Sequence, residues 1–312
     1  MGQEVRLHQF YNVDRKLAAD LFIPFDKSIT VEAAITIHSG MSTSNYCIVS
    51  GQMKYLLKIY SGNTGSIEPA MYNYLKDYIC VPSLLYYNDT KMICPYSYAI
   101  IEYIDGETFL EYVKRSHAYP VEKIYKIGEI LSVIHQKTYI KSGLLDKKLQ
   151  IVKPVKSTEE LILDNLEGKA GMHLTGACRE RLVTYIEKNK DYFYRIDQNF
   201  VLNHGDLGSG NILISGEKVY FIDFEYALAE SRYRDIGKFF RNKAPEVQKY
   251  INTKTHSAFR EGYCSLGNIL PDDWIQLASL ADIPVMLGLL SIDNPPVDWV
   301  SDIEHDIMAV IQ

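Results

Sequence analysis

At 312 residues, with 47% hydrophobic side chains and a formal net charge of −6 at pH 7, the chain can fill two lobes or one large domain, and it lacks the general basic field that nucleic acid requires. Cys47, Cys80, Cys94, Cys178 and Cys264 are odd in number and show no C-x-x-C spacing, which points away from zinc and from a disulfide framework and toward a reducing compartment. No segment offers about 18 uninterrupted apolar residues, and Arg6 stands where a myristoylation signal needs Ser or Thr, so the expectation is a soluble, cytoplasmic protein without membrane or nucleic-acid partners.

In chain order, the first third reads as β-rich. Strand-like segments fall at 33–38, 46–49, 55–60 and 99–103, with one helix-like stretch from Glu68 to Tyr78. Between the first two strands, the loop His38-Ser39-Gly40-Met41-Ser42-Thr43-Ser44-Asn45 offers backbone amides and hydroxyls suited to phosphate oxygens. The same composition also suits an ordinary hairpin turn. Lys58 is the single charge in the apolar strand Tyr55-Leu56-Leu57-Lys58-Ile59-Tyr60, and a lone lysine of this kind often marks an exposed edge. Pro69 places Glu68 near a helix start. Asp105-Gly106 is a turn signal, and helical periodicity dominates after it, at Leu110, Ile124, Ile127, Leu131 and Ile134, then Leu182 and Ile186, then Leu277 and Leu280. With no repeat and no long linker, the expected division is 1–104 and 105–312.

The exception in the helical region is Asn203 to Asp223, N-H-G-D-L-G-S-G-N-I-L-I-S-G-E-K-V-Y-F-I-D. Two short β-prone runs, 212–214 and 219–222, flank a turn at Ser215-Gly216-Glu217-Lys218. Folding there sets Asn211 opposite Ile222 and brings Asp223 beside Asn211, with Asp206 five residues earlier on a glycine-containing loop. An amide and two carboxylates suit phosphoryl transfer: one Asp orients the acceptor hydroxyl, while an Asn and a second Asp hold magnesium on the nucleotide phosphates. Taken by spacing alone, the segment is also compatible with a plain hairpin after a polar loop.

The run H-G-D-L-G-S-G-N followed by I-D-F-E-Y-A resembles the aminoglycoside phosphotransferase and choline kinase superfamily, relatives of the protein kinases, over most of the chain. The resemblance implies an α+β, bilobal, protein-kinase-like fold with a small β-rich N-terminal lobe for nucleotide and a larger helical C-terminal lobe for catalysis and substrate. It implies Asp206 as catalytic base, Asn211 and Asp223 as metal ligands, and Asp235 in Arg234-Asp235-Ile236-Gly237 as a structural support for the catalytic loop. In the same reading Gly40, Ser42, Thr43 and Ser44 lie near the phosphates. Lys58 contacts them and pairs with Glu68, a pairing supported by the following Val81-Pro82 and set against a mere capping role for Glu68. Glu102, Tyr103 and Ile104 resemble the adenine-binding hinge. His135 and His204 are expected to pack and brace, not to transfer protons. The cofactors implied are ATP, or GTP, and Mg2+.

Only eleven residues separate Asp223 from Asp235, too few for the segment on which protein kinases dock peptides, so the acceptor is expected to be a small molecule and no obligate protein partner is inferred. From Glu261 to Gln312 there are nine Asp or Glu and no Lys or Arg. Such a block reads either as a field that gathers a cation, with Asp272 and Asp273 as candidate substrate contacts beside Glu225 elsewhere in the chain, or as solvated surface. With the H-G-D form typical of bacterial antibiotic phosphotransferases, the field favours an aminoglycoside-type substrate. The I-D-F-E-Y-A segment resembles choline and ethanolamine kinases, whose cation is held by aromatic faces, for which Trp274 and Trp299 are available. A catalytically silent nucleotide-binding relative is the third reading, opposed by the presence of Lys58, Asp206, Asn211 and Asp223 together.

Overall fold

A computed structural model describes residues 8–38, 42–61, 67–241 and 245–312; Gly40 lies outside them. The described residues form two compact units. The first comprises the chain up to Glu107 with Asp146–Gln150 and Leu213–Tyr226, and the second comprises Thr108–Leu145, Ile151–Ile212 and Ala227–Gln312.

The first unit is built on an antiparallel sheet of β1 (Ala33–Ile37), β2 (Thr43–Ser50), β3 (Met53–Tyr60), β4 (Leu84–Asn88) and β5 (Ser97–Glu102), in the order β1-β2-β3-β5-β4. β3 is therefore central, with Lys58 opposite Asn45 on one side and Ala99 on the other. The edge reading of Lys58 does not hold. Alternation puts Leu57 and Ile59 on one face with Tyr46, Ile48, Tyr98 and Ile100, where α1 (Arg15–Phe22) covers them with Ala18, Leu21 and Phe22. Lys58 and Tyr60 turn to the other face, toward α2 (Ile67–Leu75). The helix α1 and the strand β4 were not expected from periodicity. β2 also begins at Thr43, three residues before the expected strand, because Thr43 and Ser44 pair with Tyr60 and Ile59.

In the second unit, α3 (Phe109–Ser116) starts at a capping box between Thr108 and Glu111 and is followed by α4 (Val121–Ile134). After β6 (Glu107–Thr108) come β7 (Thr138–Tyr139), β8 (Gly143–Leu145) and β9 (Ile151–Pro154). The helices α5 (Thr158–Glu167), α6 (Lys169–His173), α7 (Gly176–Lys188) and α8 (Lys190–Ile196) then lead to β10 (Phe200–Asn203). The predicted hairpin, which apart from Ile212 belongs to the first unit, forms as β11 (Ile212–Ser215) and β12 (Lys218–Phe221), which pair, with Gly216 at φ +56° in the turn. β13 (Leu228–Ser231) completes a second sheet, β7-β10-β13-β8-β9.

The chain ends with α9 (Arg232–Phe240), α10 (Pro245–Gln248), α11 (Thr253–Cys264), α12 (Trp274–Leu289) and α13 (Val297–Val310). α4 and α11 meet through a reciprocal pair of glycines: a Cβ on Gly128 would lie 2.4 Å from Phe259 O, and one on Gly262 would lie 2.0 Å from Tyr125 O. Backbones approach this closely only without side chains at the crossing. Among the described residues no helix is long and apolar enough to cross a membrane.

Glu230, on β13, is buried, with Oε1 accepting from Ser231 N–H at 3.1 Å. Burial pushes its carboxyl up to about 7 in spite of the Arg234 charge. A carboxyl with a raised folded pKa binds more protons folded than unfolded. The folded state is therefore favoured at acid pH, and that advantage is lost as pH rises from the unfolded carboxylate range, about 4.3, through 7. Glu230→Gln is expected to raise stability above pH 7 by up to about 3 kcal/mol and to flatten the pH dependence across that window, measured by urea denaturation at a series of pH values. A variant less stable than the parent at pH 8 would contradict this account.

Candidate functional site

The first unit places Lys58, Glu68 and Asp223 together. Lys58 Nζ lies 2.7 Å from Glu68 Oε2 and 2.6 Å from Asp223 Oδ1, with the lysine and glutamate side chains buried and Asp223 26% exposed. Glu68 sits in the first turn of α2 and is fully buried, so its place near the helix start and its pairing with Lys58 are one arrangement, not alternatives. Burial alone would lower the Lys58 pKa. Asp223, then Glu68, then Glu225 overcome it and hold the ammonium well above the ordinary lysine range. Glu225 is thus buried near the ammonium, in contrast to the expected role as an accessible substrate contact.

Two tyrosines that the sequence reading passed over complete this cluster. Tyr60 and Tyr72 each donate a hydrogen bond of 2.8 Å to Glu68, one to each oxygen. Burial and the Glu68 charge push both phenols up, so they remain protonated donors. Tyr72 Oη also accepts from the Asp223 N–H at 3.2 Å. Asp223 adopts φ +67°, the left-handed region that Asp tolerates better than most residues. The signal for Tyr60 was its i, i+2 relation to Lys58 on one face of the strand, and for Tyr72 its i, i+4 relation to Glu68 on the helix.

The second unit assembles Asp206 and Asn211. Asn211 ends a short 3-10 turn, Ser209–Asn211, and its Nδ2 donates to Asp206 O at 2.8 Å and to Asp206 Oδ2 at 3.1 Å. With both amide hydrogens so engaged, the oxygen is the group Asn211 offers to a metal. Behind this loop Asp235, fully buried on α9, accepts from the N–H groups of His204 at 2.6 Å and Gly205 at 2.9 Å. Burial opposes its charge, but His135, then His204, keep the carboxyl below its ordinary range. His135 is held below the usual imidazole range by burial, with Nδ1 2.8 Å from Tyr263 Oη. These contacts make Asp235 a brace for the loop and leave both histidines in packing positions.

Several expected contacts take another course. Ser44 is buried, with Oγ accepting from Tyr11 N–H at 2.8 Å, so its hydroxyl holds the segment before α1 against β2. Thr43 lies in β2 with its hydroxyl toward Asn45 at 3.4 Å, and Ser42 meets Tyr226 Oη at 2.6 Å. The Glu102 N–H donates to Ser83 O at 2.9 Å, and its carboxylate accepts from the Ser83 N–H and hydroxyl. This leaves the hinge expectation resting mainly on Tyr103 and Ile104.

The acidic block is also less one-sided in space than along the chain. Asp272 pairs with Arg260 at 2.8 Å, Asp273 with Arg195 through two bonds of 2.7 and 2.8 Å, Asp282 with Arg241 at 2.6 Å and Asp293 with Lys169 at 2.6 Å. Glu304 accepts from the Thr175 N–H. Asp272 and Asp273 are therefore both ion-paired near the start of α12. Trp274 is buried against Phe240, Phe259 and His256, which removes it as an exposed aromatic face for a cation.

A buried ammonium held by carboxylates suits the anchoring of anionic phosphates, and a braced Asp with an adjacent Asn suits orientation of a hydroxyl and of a metal. Comparison with solved structures agrees at the level of fold. A thermostable mutant of aminoglycoside phosphotransferase APH(4)-Ia, in a ternary complex with AMP-PNP and hygromycin B, matches with TM-score 0.67 at 13% identity, over 95% of this chain and 97% of that one. Spectinomycin phosphotransferase APH(9)-Ia, in complex with ADP and spectinomycin, matches with TM-score 0.63 at 15% identity, over 96% and 99%. Choline kinase from Cryptosporidium parvum Iowa II matches with TM-score 0.62 at 14% identity, over 95% of each chain. No curated protein sequence matches significantly. The family model described as "Phosphotransferase enzyme family" matches residues 34–266, well over half of the chain, and the protein belongs to that family, with the kinase-like fold of the aminoglycoside phosphotransferases and choline kinase.

Proposed function

We propose that the protein is an ATP-dependent (or GTP-dependent) small-molecule kinase that transfers the γ-phosphoryl group to a hydroxyl of a cationic substrate, most plainly an aminoglycoside-type antibiotic, to which it would confer resistance. The observation that carries the kinase reading is the buried Lys58 ammonium with Glu68 and Asp223 as its partners, in a chain that also has the Asp206–Asn211 contact. In this reading Lys58 contacts the nucleotide phosphates, and Tyr103 and Ile104 lie against the adenine. Asn211 and Asp223 hold magnesium, which when bound neutralises charge on the phosphates. Asp206 orients the acceptor hydroxyl and takes its proton.

The aminoglycoside reading is supported by the H-G-D form of the loop and by the likeness to enzymes that bind hygromycin B and spectinomycin. The exposed pair Asp298 and Asp302, one turn apart on α13, supports a cationic substrate now that Asp272 and Asp273 have arginine partners. Choline or ethanolamine is the second reading, supported by Asp223-Phe224-Glu225-Tyr226-Ala227 and by the choline kinase likeness.

A coupled ATPase assay across aminoglycosides, spectinomycin, choline and ethanolamine tests both. The expected result is turnover stimulated by a polyamine sugar, with a substrate KM that rises steeply with salt as the Debye length falls from about 10 Å at 0.1 M to about 3 Å at 1 M. Stimulation by choline alone with a shallow salt dependence would favour the second reading. Nucleotide binding without turnover on any of these acceptors would leave a silent relative.

A further inference from the structure

Lys238 Nζ lies 3.0 Å from Asp206 Oδ1, with the lysine side chain 20% exposed and the aspartate 40%. Lys238 follows Gly237 on α9, where a Cβ on Gly237 would come within 2.1 Å of Ala278 O. That tight seat of α9 on α12 fixes where Lys238 emerges, as Asp235 on the same helix fixes the loop carrying Asp206. Lys238 also lines a cleft of about 210 Å3 with Gly208, Ser209, Gly210, Phe239 and Arg241. Arg241 is nine-tenths buried and pairs with Asp282 at 2.6 Å, so Lys238 is the more accessible of the two cations in the wall. A Cβ at Gly208 or Gly210 would meet nothing within 4 Å, so the loop leaves room in the cleft that Lys238 lines.

The two oxygens of Asp206 are thus held differently, Oδ2 by the Asn211 amide at 3.1 Å and Oδ1 by the Lys238 ammonium. An ammonium has three donors and can hold Asp206 while donating to a second oxygen in the cleft. We propose that Lys238 is a positioning residue for the phosphoryl acceptor, orienting Asp206 and donating a hydrogen bond to the acceptor oxygen as it is phosphorylated. This rests on the kinase reading above. In the step, the acceptor O–H proton passes to Asp206, the bond from the γ-phosphorus to the β–γ bridging oxygen breaks, and a new P–O bond forms to the acceptor oxygen. Lys238 neither gains nor loses a proton. The inference also narrows the acceptor: any ammonium groups of the substrate lie away from Lys238, because like charges repel at such range.

Water can serve as the acceptor, so the test needs no identified substrate. Mg·ADP binding by calorimetry and the slow hydrolysis of Mg·ATP are measured first on the wild-type protein. Absence of both would remove the kinase reading itself and this inference with it. Lys238→Met is then expected to lower kcat for ATP hydrolysis about tenfold or more while ATP KM and Mg·ADP affinity stay within about twofold, and Lys238→Arg is expected to recover a substantial part of the loss. Lys238→Gln replaces Lys238→Met if the latter does not fold, with melting temperature followed throughout. An unchanged kcat, a parallel loss of Mg·ADP affinity, or a Lys238→Arg enzyme as slow as Lys238→Met would each overturn the proposal.

Discussion

Replacing Asp206 by Ala is expected to lower turnover roughly 10²- to 10⁴-fold, the range for removal of a positioned acid or base, while nucleotide affinity stays near that of the parent. Asp206 is 40% exposed, so its loss leaves no cavity in a core. Asp223 requires a different substitution, because at φ +67° an alanine would add backbone strain of about 1–2 kcal/mol. Asn tolerates that conformation, and Asp223→Asn removes the charge alone. This variant is expected to lose turnover to a similar extent and, unlike Asp206→Ala, to lose magnesium-dependent nucleotide affinity. Steady-state kinetics on ATP, with calorimetric titration of ADP in the presence and absence of Mg2+, separates the two. Near-parental turnover in either variant would sink the corresponding role.

The second large effect is expected at the buried ion pair. Lys58→Met leaves the buried Glu68 carboxylate without its cation, and breaking a buried pair from one side costs about 3–5 kcal/mol. ATP use should fall with it. Glu68→Ala is expected to cost a comparable amount, because Lys58 keeps Asp223 but the hydroxyls of Tyr60 and Tyr72 lose their acceptor and a buried donor without a partner costs about 1–3 kcal/mol. Glu68 thus matters both for stability and for holding Lys58. The pH dependence has a definite sign. The Lys58 pKa is raised on folding, so its stabilisation is complete below the unfolded lysine value, about 10.4, and is lost only as pH climbs through the higher folded value. Urea denaturation near neutral pH, paired with ATP kinetics, measures both consequences. A Glu68→Ala protein with parental stability and parental ATP KM would refute this account.

Both predictions concern residues legible before any coordinates. Ser215-Gly216-Glu217-Lys218 defines a tight turn between β-prone runs, and β11 and β12 pair across it. Lys58 and Glu68 were named through the family resemblance, since by local pattern an isolated charge in an apolar strand also reads as an edge position and an acid at a helix start also reads as a cap. Tyr60 and Tyr72 were within reach of the same argument, through strand alternation and helix periodicity, but only a known position for Glu68 makes them stand out.

Local pattern determined the hairpin and the helical character of the later chain, because turns and periodicity depend on neighbouring residues, whereas the roles expected of Lys58, Glu68, Asp206, Asn211 and Asp223 came from the family resemblance. Tertiary structure decided which charges remain available. Along the chain the region from Glu261 is acidic without relief, yet Arg195, Arg241, Arg260 and Lys169 reach it from outside the block, and Coulomb interactions sum over distance in space, not over position in sequence. The same reason placed Ser44 in the sheet, buried Trp274 among aromatic rings and brought Lys238 to Asp206: each depends on elements distant in sequence packing against one another, and no window of neighbouring residues contains that information.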